Sequence, residues 1–192
     1  MYAIFRLEDC YVLYRIACLI HTLQLCMKHQ VLSMKGPAAL VDKVKDISAH
    51  ASHSNKFCNE LEKQQELLNL EKLVLLKHGA TRWDIIFMMM ERMLQIKPAL
   101  NAAIMYSNMN GYGPKEELNL RDWELMEKLV ECLRPFHDAS KMLQREDASV
   151  SCYIPVVRTI LKLLETSRAD FGVMNYKKKL YDEVESTFEG NK

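Results

Sequence analysis

The chain has 192 residues, 26 Lys and Arg against 25 Asp and Glu, and a formal net charge of +1. Hydrophobic residues at 49% and charged residues at 27% exclude a disordered chain, a collagen-like repeat and a coiled-coil rod. The charge balance is not that of a small, strongly basic DNA-binding module. Six Gly and five Pro are too few for the many turns of a barrel or sandwich, so composition points to helices around one core, or around two small ones.

Taken in chain order, residues 11–17 (YVLYRIA) read as a short strand or as the apolar approach to a helix. Residues 19–34 have helical apolar spacing through Leu19, Leu23, Cys26 and Met27, and Gly36-Pro37 is expected to stop that helix. A second helix is expected from about Ala38 to Ser52, with Leu40, Val44, Ile47 and Ala51 on one face. Ser54-Asn55 reads as a break or cap. Phe57, Leu61, Gln65 and Leu68 mark a third helix, with Glu62, Lys63 and Glu66 on its solvated side. Residues 72–76 (KLVLL) fit a strand or an extended connector.

Trp83 opens a strong helical pattern to about Asn108, with Asp84 or Thr81 as N-cap and Pro98 ending or kinking it. Residues 108–117 (NMNGYGPKEE) form the clearest loop. Asn119 or Asp122 caps the next helix, which Pro135 should bend or break before Phe136–Gln144 resumes it. Residues 146–151 read as a turn. Pro155 suits a helix first turn, followed by Val157, Ile160 or Leu161 and Leu164. A last helix carries Leu180, Val184 and Phe188. The pattern predicts six or seven helices, at most two short strands and no internal repeat.

Candidate chemistry is sparse. The six Cys show no tight disulfide spacing, which suits reduced thiols in the cytosol or nucleus. The apolar window Cys10–Ile20 is interrupted by Arg15 and too short to span a bilayer, and it lacks a secretory cleavage pattern. The pairs Cys18-x-x-His21 and Cys26-x-x-His29 invite a zinc reading, as do His50-x-x-His53 and Cys58. Eight residues separate the first two pairs, roughly 12 Å along a helix, so they cannot share one ion from one straight helix. Buried thiols are the plainer reading. Adjacent acids (Glu8-Asp9, Glu116-Glu117, Glu146-Asp147, Asp182-Glu183) sit in polar contexts that suit surface charge and helix-dipole partners better than an enclosed catalytic pair. Phe87 with Met88, Met89, Met90 and Met93 reads as core first and as an adaptable binding surface second. Lys177-Lys178-Lys179, with Arg168, is a weak phosphate signal.

Two blocks together carry a resemblance. Residues 17–25 (ACLIHTLQL) are similar to the C-x-x-H-x-L-x-L block of hAT transposases, and residues 81–93 (TRWDIIFMMMERM) resemble that family's T-R-W-N-S-T-Y-x-M-L-x-R-L block. The order and the gap match, and weaker similarity continues through Leu133-Arg134-Pro135-Phe136 and Ile154-Pro155. The resemblance implies a mainly α fold: residues 1–36 as a remnant of an RNase H-like core, and residues 37–192 as a helical region like the family's insertion domain. It also implies nucleic-acid contacts at His21, Arg82 and Trp83, where the matching Trp of active relatives stacks on a flipped base, with Cys18 and Thr81 as further motif positions.

The family's strand transfer needs three carboxylates holding Mg²⁺ or Mn²⁺. Glu8 and Asp9 do not match the first acidic motif, the C-terminal S-E-R-type block and the BED zinc finger do not occur in this sequence, and Asp84-Ile85-Ile86-Phe87 replaces N-S-T-Y. The expectation is a non-enzymatic, transposase-derived protein with no catalytic residues, no cofactor and no metal. Its expected partners are DNA, a protein or a second copy, with no membrane and no small-molecule substrate. Its expected location is nuclear, or else cytoplasmic. Two alternatives stand beside this: a piece of a longer nuclear BED-finger regulator or transposase, and a small zinc-binding module using Cys18 and His21. The apolar faces of residues 11–31 are expected to need missing strands, favouring self-association.

Overall fold

The protein is described here by a computed structural model covering residues 2–7, 10–15, 19–76, 83–144, 152–165 and 174–188. The chain begins with an antiparallel hairpin. Strand β1 (Tyr2–Leu7) pairs with β2 (Cys10–Arg15) in a register that sets Tyr2 opposite Arg15 and Leu7 opposite Cys10. The expected strand near residues 11–17 is therefore β2.

The rest of the described chain is helical. Helix α1 (Leu19–Met27) passes directly into a π-helical turn, Lys28–Leu32. Its apolar face, Leu23, Cys26, Met27 and Val31, is buried, and the turn packs on α8 (Met174–Phe188) and on α2 (Lys35–His53). These positions are covered from within the chain, which removes the expected ground for self-association over 19–31. Gly36-Pro37 does not stop α1. Both lie in the first turn of α2, where the backbone N–H groups have no intrahelical partner and a proline costs no bond. Leu40, Val44, Ile47 and Ala51 are buried as their spacing requires.

Ser54 caps α3 (Asn55–Leu67), accepting a hydrogen bond from the Phe57 backbone N–H at 3.3 Å. Phe57, Leu61 and Gln65 are buried; Leu68, expected on that face, ends the helix and is 45% exposed. Residues 71–76 are a connector without helix or strand pairing among the described residues. Helix α4 (Trp83–Gln95) and α5 (Lys97–Met109) are separated at Ile96, with Pro98 at the second position of α5. Asp84 lies inside α4's first turn rather than capping it, and Thr81 falls outside the described residues. Met89, Met90 and Met93 are buried and Met88 is exposed, so the methionines serve the core.

Helix α5 ends at a loop whose Gly111 takes φ +75°, a conformation open to glycine at little cost. Asn119 and Asp122 then form a reciprocal capping box on α6 (Leu120–Leu143): each side chain accepts from the other's backbone N–H. Both expected caps are used. Helix α6 runs unbroken through Pro135, contrary to the expected break. Cys132, Leu133 and Phe136, fully or almost fully buried on either side, anchor both halves against α4 and α7 (Tyr153–Leu164), which offsets the roughly 3 kcal/mol an interior proline costs. Residues 146–151 lie outside the described residues. Pro155 sits in α7's first turn, and Val157, Ile160, Leu161 and Leu164 are buried. Leu180 and Val184 of α8 complete the core. Eight α-helices are thus described rather than six or seven, because Pro98 divides one pattern in two. Among the described residues no helix is long and apolar enough to cross a membrane.

Candidate nucleic-acid interface

On α4, Trp83, Phe87 and Glu91 recur at four-residue steps and form one stripe. On α6, Arg134, His137 and Lys141 do the same at steps of three and four. The two stripes meet where α4 packs on α6. His137 stacks on Phe87, with centroids 4.5 Å apart and planes 27° apart, and Trp83 sets its ring edge-on to both, 6.3 Å from His137 and 6.4 Å from Phe87. The Arg134 guanidinium lies 5.7 Å from the Phe87 centroid and donates to Glu91 Oε1 at 2.7 Å. Trp83 is 3% exposed and Phe87 is fully buried.

His137 is the unusual member. Its Nδ1 is buried with no hydrogen-bond partner among the described residues. Burial pushes its pKa below the ordinary histidine value, the charge of Lys141 adds to this, and Asp138, Glu91 and Asp84 oppose it. The folded state thus binds this proton less tightly than the unfolded chain does. Stability contributed by the neutral ring is complete above about pH 6.5, the unfolded value, and is lost as the pH falls below it. Urea unfolding of the wild type should show a falling midpoint between pH 7 and 5, and His137→Phe should flatten that part of the profile.

The other side of Trp83 faces an open groove of about 290 Å³. Its walls are the π turn (Lys28, Leu32, Ser33), the face of α2 carrying Ala38, Val41, Asp42 and Lys45, and Trp83 with Ile86. A π turn is rare in helices and is frequent at functional sites. Here it brings Lys28, exposed, into the lining of the same groove as Lys45 and Asp42 of α2. Lys35, three residues before Ala38 and seven before Asp42, extends the α2 stripe beyond the groove.

The positions expected from sequence are distributed as follows. His21 is exposed on α1, two turns before Lys28 on the same stripe, about 10 Å along the axis. Trp83 lies in the groove wall but is largely enclosed. Cys18, Thr81 and Arg82 fall outside the described residues. Among the described residues, no three His, Cys, Asp or Glu side chains gather as a metal site. Lys28, Lys45 and His137 were not singled out by the sequence: two lysines on helix surfaces look like any solvated face until a third element closes against them.

The model of one family, the ZBED1 RNase-like helical domain, matches residues 16–132, more than half of the chain. The chain is also 24% identical over 150 residues to the human protein named zinc finger BED domain-containing protein 4. That match takes in 78% of this chain and 12% of the relative, so the chain spans about an eighth of the relative's length. No solved structure matches. The mainly α architecture and the resemblance to hAT-derived, BED-type proteins agree with this match, and the chain belongs to the ZBED1 RNase-like helical domain family.

Proposed function

We propose that this chain is a non-catalytic, transposase-derived helical module that binds nucleic acid through the groove beside Trp83. The observation that carries the reading is the placement of Lys28 and Lys45 on two different elements around an aromatic wall. Phosphate contact by lysines gives affinity without sequence information; Trp83, 3% exposed, backs the groove and has to open before it can stack on a base. The non-catalytic part rests on Glu8 and Asp9 not matching the family's first acidic motif. Two-metal strand transfer needs several carboxylates around the same ions. A nuclear location follows from the same reading.

Fluorescence anisotropy with labelled DNA tests it. Binding should weaken steeply with salt, the log–log slope changing by about one for each phosphate neutralised. Lys28→Glu and Lys45→Glu should each weaken binding and flatten that slope. Affinity unchanged in the double variant would end the groove assignment. Strand cleavage with Mg²⁺ or Mn²⁺ would end the non-catalytic one.

A second reading is favoured by the coverage of the longer relative, whose printed name includes a zinc finger BED domain. In it, this module acts within a longer BED-finger protein, which would supply the DNA specificity. Full-length transcript sequencing decides it: a reading frame continuous with a BED finger supports it, and stop codons close to both ends refute it.

A further inference from the structure

We propose that Trp83, Phe87 and His137 form a proton-operated latch: neutral His137 holds the Trp83 indole inside the helical body, and protonation of His137 lets the first turn of α4 open and present Trp83 to the groove. This rests on the nucleic-acid reading only for what the exposed indole then does.

Three observations converge on the latch. Trp83 is the first described residue of α4, and the first turn of a helix has N–H groups with no intrahelical partner, so it opens locally at less cost than any interior turn. Its two aromatic contacts are the members of the stacked Phe87–His137 pair, so moving His137 removes one of the rings packed against it. His137 Nδ1 lacks a partner among the described residues. A neutral imidazole tolerates this as an unprotonated nitrogen. An imidazolium must donate from both nitrogens, and a buried unsatisfied donor on a charged group costs several kcal/mol.

The charges around the ring do not rescue the cation in place. From α4 come Asp84 and Glu91; from α6 itself come Arg134, Asp138 and Lys141. No group on α1, α2 or α7 is among those that shift it. Glu91 already accepts from Arg134, Asp138 is exposed, and Lys141 repels. Stacking on Phe87 offers the imidazolium a cation–π attraction of about 0.5–2 kcal/mol. Burial is the largest influence on His137, and with Lys141 it outweighs the three carboxylates. The lower-energy course for the charged ring is to swing towards Asp138 and water.

The test uses Trp123→Phe protein, in which Trp83 is the sole tryptophan. Acrylamide quenching of Trp83 is followed from pH 8 to 5, with far-UV circular dichroism as the measure of helix content. Quenching should rise severalfold below pH 6.5 with the helix signal kept, and the rise should be absent with His137→Phe, or with His137→Gln if the Phe variant does not fold. A Trp83 that stays shielded, a rise that persists in the His137 variant, or a rise that appears only with loss of helix overturns the latch. Anisotropy with single-stranded DNA at pH 5.5 and 7.5 separates the two readings. Quenching that rises without tighter binding leaves the latch and removes the nucleic-acid role of Trp83. Binding that tightens along with it supports both.

Discussion

Phe87→Ala should cost about 3–5 kcal/mol of folding free energy, a large fraction of the 5–15 kcal/mol that separates folded from unfolded states in ordinary domains. Phe87 is fully buried, and its ring serves three neighbours at once: it stacks on His137, meets the edge of Trp83, and lies under the Arg134 guanidinium. Truncation removes the buried ring, leaves a cavity at the α4–α6 interface, and deletes aromatic pairs worth about 0.5–1.5 kcal/mol each beyond their area. Collapse cannot fill the space readily, because Met90 and Phe136 are themselves fully buried. Phe87→Leu separates the contributions. It keeps most of the volume and should cost well under half as much, the remainder being the ring-specific part. Met88→Ala, next in sequence but exposed, should stay within about 0.5 kcal/mol. Urea denaturation of the three variants checks this, and a Phe87→Ala loss below about 1 kcal/mol would show that the α4–α6 seam is not packed as described.

Gln65→Ala should detach the 71–76 connector. Gln65 is 1% exposed; its Nε2 donates to the Leu73 carbonyl at 2.9 Å and its Oε1 accepts from the Leu73 N–H at 3.1 Å. One side chain thus satisfies both backbone groups of a residue that has no strand partner to do so. Removing it strands a donor and an acceptor, at about 1–3 kcal/mol for each group left buried and unpaired. The loss should be local first. Lys72, paired with Glu62 and Glu66, and Arg92, whose Nη1 donates to the Val74 carbonyl at 3.2 Å, are exposed contacts that contribute little, and only Leu75 is deeply buried in this stretch. Hydrogen exchange at the Leu73 amide should accelerate by at least an order of magnitude while amides in α6 keep their protection. Gln65→Glu should fare no better than Ala at neutral pH, since a carboxylate cannot donate to the Leu73 carbonyl and would face it with negative charge. Protection at Leu73 that survives in both variants would refute the clamp.

Gln65 illustrates how far the sequence reaches. Its spacing with Phe57 and Leu61 places it on the inward face of α3, which is correct, but spacing cannot say that a buried amide there is bonded to a residue eight positions on. Leu68 fails in the opposite sense: it fits the same apolar repeat yet lies at the end of α3 and is 45% exposed. The prolines divide along the same line. Pro98 and Pro155 act locally, near helix starts where the missing N–H is not needed. Pro135 is overridden by burial on both sides, and Gly36-Pro37 is absorbed into a helix start that the π turn before it creates.

The interface divides similarly. Trp83 and His21 could be picked out as residues because they fall within motif blocks. The partners of Trp83 could not, since His137 lies 54 positions further along and meets it only because α4 and α6 pack together. Lys28 and Lys45 are ordinary surface charges in one dimension and become a pair only across the groove. The sequence alone determined the helical class, most helix faces, the two residues at the start of α6 and the family blocks, because each depends on periodicity or on side chains within a few residues of one another. Tertiary structure decided that Trp83 is enclosed, that a histidine ring packs against it and that two lysines share its groove. Those are contacts between elements distant along the chain, and no local pattern encodes which stripes will meet.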